Sequence, residues 1–149
     1  TVDRLHKLTP EGHEIIDEQI AEDVENSIFY TENRHLAKGS KEIIALYEKL
    51  KNDILKLGDV KVVPKKLYIA FKSPKNFIDV EIQKNNLKIY INMVKGTLKD
   101  TDNKTIDISD IGHWGNGDYK IYISEENELD YAMQLIKQSY DSNKRSIKE

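Results

Sequence analysis

Residues 77–92, "FIDVEIQKNNLKIYIN", alternate apolar and polar side chains on either side of "KNN". Side chains in a strand point alternately to opposite faces, so this pattern predicts a β-hairpin of "FIDVEIQ" (77–83) and "LKIYIN" (87–92). Asn85 and Asn86 tolerate the positive φ that a tight hairpin turn demands. The alternation also sorts the faces. Ile78, Val80 and Ile82 are expected to meet Leu87, Ile89 and Ile91 in a buried layer. The opposite face would carry Asp79, Glu81, Lys88, Tyr90 and Asn92, either solvated or as a binding surface.

Further strands are expected at "VKVV" (60–63), "KLYIAF" (66–71) and Tyr119–Ile123, the first two separated by Pro64. Helical spacing occurs in three places. Thr9, Pro10, Glu11 and Glu14 suit a helix N-terminus, and Ile15, Ile16, Ile20, Val24 and Ile28 continue as one stripe on an acidic segment. The stretch "FYTENRHLAKGS" (29–40) interrupts this pattern. Ser40 can cap a second helix reaching about Leu57 with Ile43, Ile44, Tyr47, Leu50 and Ile54 on one face, and Gly58 is placed as its C-terminal stop. Ser124 can cap a last helix with Leu129, Ala132, Met133, Ile136 and Tyr140 inward, before a polar tail expected to fray. The order predicts an α+β fold: a single antiparallel sheet of four to five strands, helices packed on one face, plus an N-terminal helix. Residues 1–28 read as helix or linker, 29–141 as the domain and 142–149 as the tail.

At 149 residues the chain suits one domain with a real core. It opens on Thr1 rather than methionine, as a domain excised from a longer protein would. Without cysteine there is no disulfide framework or thiolate metal site, which suits a cytoplasmic location. No apolar run approaches the ~20 residues that cross a bilayer, so no membrane partner is expected. The net charge of −3 is unevenly spread. Residues 60–99 hold nine lysines against Asp79 and Glu81, a balance of +7 that leaves −10 elsewhere. Such a block attracts polyanions, or caps strand edges and turns; it contains no arginine for bidentate phosphate contacts.

Reactive groupings are sparse. His6, His13, His35 and His113 show no metal-binding spacing, so neither a metal site nor a cofactor is expected. "DVEIQK" places Asp79 and Glu81 on one strand face, as Mg²⁺-dependent nucleases do. However, Gln83 stands where their lysine belongs, with Lys84 one step on, and pairing with Lys88 accounts for the carboxylates as well. In "IGHWGNGDYKIYIS" (111–124), three glycines feed a strand rather than a helix N-terminus and end on Asp118, which argues against a phosphate loop. Trp114 either covers the end of the core or stacks on a partner with His113 and Tyr119 nearby.

The strings "KLYIAFK", "NFIDVEIQKNNLKIYINMVKGTL", "IGHWGNGDYKIYIS" and "ELDYAMQLIKQSY" resemble a C-terminal domain of unknown function from proteins labelled "predicted transport protein". Many of those carry an N-terminal PD-(D/E)XK restriction-endonuclease-like domain. The resemblance spans about residues 30–140 and rests on Tyr68, Lys72, Asp79, Glu81, Gln83, Lys84, His113, Trp114, Asn116, Gly117, Asp118 and Tyr119. It implies a parent protein rather than a mechanism. The leading expectation is a non-catalytic accessory domain of a prokaryotic restriction or defence-type nuclease protein, binding DNA or RNA. Lys65, Lys66, Lys72, Lys84 and Lys88 would contact phosphates, and Tyr68, Tyr90 or Trp114 would stack. The alternatives are a protein-interaction or homodimerisation module, using a loop of His113, Trp114, Asn116, Asp118 and Tyr119, and a metal-dependent nuclease using Asp79 and Glu81.

Overall fold

The computed structural model of the chain describes residues 30–111 and 117–148. The expected N-terminal helix of residues 1–28 and the loop residues His113, Trp114 and Asn116 lie outside this set. Helices α1 (Glu32–Leu36) and α2 (Lys41–Leu55) precede strands β1 (Lys61–Pro64), β2 (Ile69–Lys72), β3 (Asn76–Ile82) and β4 (Leu87–Ile91). The short β5 (Ile106–Asp107), β6 (Tyr119–Ile123), a 3₁₀ turn (Glu126–Glu128) and α3 (Leu129–Lys148) follow.

The strands form one antiparallel sheet in the order β1-β2-β3-β4-β6-β5. This bears out the α+β class and the single sheet, with six strands among the described residues rather than four to five. The extra strand, β5, spans two residues, too few to show alternation. Helices α2 and α3 cover one face. Ile43, Leu46, Tyr47, Leu50 and Ile54 of α2 and Leu129, Ala132, Leu135, Ile136 and Tyr140 of α3 meet the inward side chains of β2, β3, β4 and β6. Each fully buried Ile or Leu contributes ~1.5–3 kcal/mol, and this layer is what holds the two helices to the sheet.

The hairpin pairs as the alternation requires, Ile78 with Ile91, Val80 with Ile89 and Ile82 with Leu87. Its turn differs. Gln83 N–H donates to the Asn86 carbonyl at 3.0 Å, closing a four-residue loop that needs no left-handed residue. Among the described non-glycine residues only Asn103, with φ 52°, is left-handed. A bulge also breaks the alternation at the start of β3. Lys72 pairs with Asn76 and Phe71 with Ile78, so Phe77 is skipped and both Phe77 and Ile78 are buried. The Phe77 ring meets Tyr140 edge to face, centroids 5.3 Å apart.

Helix ends depart from expectation in several places. Within the interruption at 29–40, the Thr31 hydroxyl accepts from the Arg34 N–H and caps the five-residue α1. Ser40 caps α2 as expected, accepting from the Ile43 N–H at 3.2 Å. Gly58 is not a left-handed stop, because α2 ends at Leu55 and any Cβ at residue 58 would fall on the Tyr140 hydroxyl. At the last helix Glu128, not Ser124, supplies the cap, accepting the N–H groups of Ser124 and Glu125 at 2.8 and 3.0 Å. Helix α3 continues through the residues expected to fray. Asn143 holds it there, donating to the Asn92 carbonyl at 3.0 Å.

Candidate functional site

The sheet face turned away from α2 and α3 collects the polar positions of the strands. Directly opposed residues in a sheet share a face. One row runs Val63, Ala70, Asp79, Tyr90, Lys120 and Ile106 from β1 to β5. A second joins Glu81, Lys88 and Tyr122, and a third pairs Lys61 with Lys72. Four lysines from four strands (Lys61, Lys72, Lys88 and Lys120) therefore stand on one side of the sheet.

Tyr122 lies among them with 38% of its surface exposed. Lys120 Nζ is 5.4 Å from its ring centroid, and Lys88 Nζ is 5.2 Å from the ring of Tyr90 and 3.8 Å from Glu81 Oε1. The hydrogen bond to Tyr90, followed by the surrounding Tyr and Glu81 groups, raises the Lys88 pKa and outweighs its partial burial. The ammonium stays charged throughout the neutral range.

The centre of the face is buried, whereas its polar positions were expected to be either solvated or a binding surface. Ala70, Asp79 and Tyr90 are 1%, 0% and 4% exposed. Tyr90, expected as a stacking group, is only 4% exposed with the Lys88 ammonium 5.2 Å from its ring, so it does not offer that ring to a base. Asp79 Oδ1 accepts from Asn76 Nδ2 at 2.9 Å, while Oδ2 has no hydrogen-bond partner among the described residues. Burial pushes the Asp79 pKa up to about 7, against the opposing pull of the Asn76 bond and the Lys65 and Lys72 charges. The bulge makes this contact, because skipping Phe77 returns Asn76 to the side of the sheet that Asp79 occupies.

The other expected contact residues scatter. Lys66 is exposed between β1 and β2, and Lys65, Tyr68 and Lys72 are half-buried and engaged in contacts. Lys65 is tied in through its carbonyl, which lies 2.7 Å from Nε2 of the buried His35; burial lowers the pKa of that imidazole. Lys84 is exposed in the hairpin loop, outside the strands that carry the other lysines, and its carbonyl accepts the Ser40 N–H. Asp118 and Tyr119 serve the fold. Asp118 Oδ2 accepts the Lys95 N–H at 2.8 Å, and the Tyr119 hydroxyl accepts the Gly96 N–H at 2.6 Å. Lys120 and Tyr122 are the members sequence reasoning missed, although the alternation of "YKIYI" marks both as outward.

Asp79 and Glu81 share the face, but Asp79 is sealed and Glu81 faces Lys88. Among the described residues no cluster of His, Asp and Glu has the composition to hold a metal ion. A separate cleft of about 430 Å³ between α2 and the start of α3 is lined by Lys49, Asp53, Lys56, Glu126 and Asp130. Its charges oppose one another, with Lys49 paired to Glu126 at 2.7 Å. No helix among the described residues is long and apolar enough to cross a membrane.

The fold and site thus define an α+β domain of one antiparallel sheet, helices on one face and lysines on the other. The chain belongs to the family described as "Domain of unknown function (DUF5655)", whose profile matches residues 32–143. It is 48% identical over 111 residues to an uncharacterized protein of Haemophilus influenzae, a match covering 74% of this chain and 37% of that protein. The chain therefore spans little more than a third of that relative's length. No solved structure matches it.

Proposed function

We propose that this domain is a non-catalytic accessory module that contacts nucleic acid, DNA or RNA, through the outer sheet face and serves an attached nuclease domain in a cytoplasmic restriction or defence-type protein. The observation that carries the binding reading is that Lys61, Lys72, Lys88 and Lys120, from four strands, stand on one face with Tyr122 exposed among them. Lysines at strand spacing neutralise successive phosphates, and an aromatic ring between them gives an unpaired base a stacking surface. The accessory role is supported by length and by likeness. A relative about twice as long as this chain contains this domain as one part, and the motif strings resemble those found beside restriction-endonuclease-like domains. No metal-dependent step is assigned to Asp79 and Glu81, since both carboxylates are already engaged within the sheet.

The test is a titration of fluorescently labelled single-stranded DNA and RNA across a salt series. The observed affinity is expected to fall linearly on a double-logarithmic plot, with a slope near −0.7 for each phosphate neutralised on a single strand. Absence of binding at low salt, or binding indifferent to salt, overturns the reading.

A second reading, a protein-interaction module, draws on a different feature. Val94, Ile106 and Ile111 are 71%, 45% and 60% exposed, and Ile106 belongs to the edge strand β5. Sedimentation velocity across a concentration series checks it. A mass that stays monomeric at high concentration removes self-association.

A further inference from the structure

Two buried oxygens on the outer face lack a hydrogen between them. Asn76 Nδ2 donates to Asp79 Oδ1 at 2.9 Å, while Asn76 Oδ1 and Asp79 Oδ2 are both buried without a partner. With the carboxyl ionised both atoms are acceptors, so neither satisfies the other, and each bears the cost of its lost hydration. A protonated carboxyl instead has one O–H to donate. The other buried side-chain atoms left unpaired among the described residues are His35 Nδ1, Asn86 Oδ1 and Ser109 Oγ, none of them on the side chain bonded to Asp79.

We infer that Asp79 is a proton-binding site of the folded domain, its Oδ2–H donating to Asn76 Oδ1 and closing a reciprocal acid–amide pair with the Asn76 Nδ2 bond. Asn76 is the positioning residue. The bulge that skips Phe77 brings it to the side of the sheet that Asp79 occupies. Asn92 Nδ2 then donates to the Asn76 carbonyl at 2.7 Å and fixes its backbone there.

The charged groups around the pair do not replace the proton. Lys72 of β2 and Lys65 just before that strand favour the ionised form by their charge, yet neither donates to Oδ2. On β4, Tyr90 lies directly opposite Asp79, and Lys88 is drawn to Glu81, the other carboxylate of β3 on this face. Lys120 of β6 stands beyond Tyr90 in the same row. Burial outweighs these cations and pushes the Asp79 pKa up to about 7. The proton therefore sets the charge of the face. Protonated, Asp79 is neutral among the lysines. When its O–H bond breaks, the proton leaves to solvent and a negative charge remains at the centre of the row, so attraction for a polyanion falls as pH rises through neutrality. The proton site stands on the two unpaired oxygens; only this consequence rests on the nucleic-acid contact proposed above.

Two measurements on the full chain separate these parts. Isotope labelling of the Asp and Asn side chains lets NMR follow both members of the pair through a pH titration. The Asp79 Cγ signal is expected to move near neutral pH, and the Asn76 Cγ and Nδ2 signals to move with the same midpoint. Asp79→Asn keeps an N–H toward Asn76 Oδ1 and is expected to abolish the Asn76 movement. An Asp79 midpoint in the ordinary carboxylate range, an Asn76 signal that does not follow it, or an Asn76 movement that persists in the variant overturns the pair. In the second measurement a labelled oligothymidylate is titrated at about pH 6 and about pH 8 at the same low salt. The parent is expected to lose about threefold more affinity between the two than Asp79→Asn loses. Both proteins carry the same histidines, so the difference isolates Asp79. Equal pH dependence overturns the charge consequence. If neither protein binds at either pH, the nucleic-acid reading falls and takes that consequence with it, while the NMR titration still decides the proton site.

Discussion

Asn76 donates a 2.9 Å hydrogen bond to Oδ1 of Asp79 on the same strand, and Oδ2 of that carboxyl has no partner among the described residues. A carboxylate half-satisfied in a buried position is cheaper to keep protonated than ionised, and burial accordingly sets its pKa at about 7 against 3.8 outside the fold. Between those two values the folded chain binds more protons than the unfolded one. The contribution of Asp79 to stability is therefore largest below pH 3.8, declines as pH rises toward about 7, and is constant above. Asp79→Asn keeps an acceptor for Asn76 and removes the titration. The variant is expected to be more stable than the parent at pH 8, by on the order of a few kcal/mol, and to match it closely near pH 4. Urea unfolding at the two pH values checks this; parallel curves for both proteins would sink it.

Gly117 has φ +98° and lies against the backbone of Ile91 and Asn92, so close that any Cβ would overlap the Ile91 carbonyl and the Asn92 Cα. The neighbouring strand cannot yield as a flexible side chain could. Gly117→Ala combines a left-handed φ with a backbone clash and is expected to cost ~2–4 kcal/mol. The cost should appear as a lower thermal midpoint together with loss of the 2.8 Å bond from Ile108 N–H to the Asp118 carbonyl, seen as faster hydrogen exchange at Ile108.

The hairpin, the long helices and the layer between them were legible because each depends on a period that survives over several residues. Ile78, Val80 and Ile82 face Leu87, Ile89 and Ile91 as the alternation demands. Features set by single contacts were not legible. The bulge at Phe77, the two-residue β5 and the Glu128 cap each depend on tertiary geometry that a local pattern does not carry. The site divides in the same way. Lysine on the strands was visible from composition, whereas the burial of Tyr90 and Asp79 needs the whole sheet. Gly58 shows the limit plainly, since a helix stop and a clearance for a distant Tyr140 hydroxyl both ask for glycine at the same position.

Ser139 and Asn143 lie one helical turn apart on α3 and share the carbonyl of Asn92, at 3.1 and 3.0 Å. Ser139 Oγ also lies 2.6 Å from the Phe77 carbonyl, which keeps a second donor in the Asn92 N–H. Either substitution to alanine leaves the Asn92 carbonyl one side-chain donor, so each is expected to cost ~1 kcal/mol. Together they remove both. The double variant Ser139→Ala, Asn143→Ala is therefore expected to lose ~0.5–1 kcal/mol more than the sum of the singles. A double-mutant cycle by chemical denaturation measures that coupling, and strict additivity would show that the two side chains act independently.

Lys120 and Tyr122 project from β6 on the outer face, one charged and one aromatic, and their substitution separates two contributions to the proposed nucleic-acid contact. Lys120→Ala removes a phosphate contact and is expected to reduce the salt slope of single-strand binding by ~0.7. Tyr122→Ala removes a stacking surface, which costs ~1–3 kcal/mol in affinity at any one salt concentration and leaves the slope unchanged. Lys99 provides the control. Its backbone bonds Gln138 of α3 on the helical side of the sheet, so Lys99→Ala is expected to change neither quantity. If all three variants lose affinity equally, with the same change in slope, the contact is a diffuse attraction to lysine charge and not a site on this face.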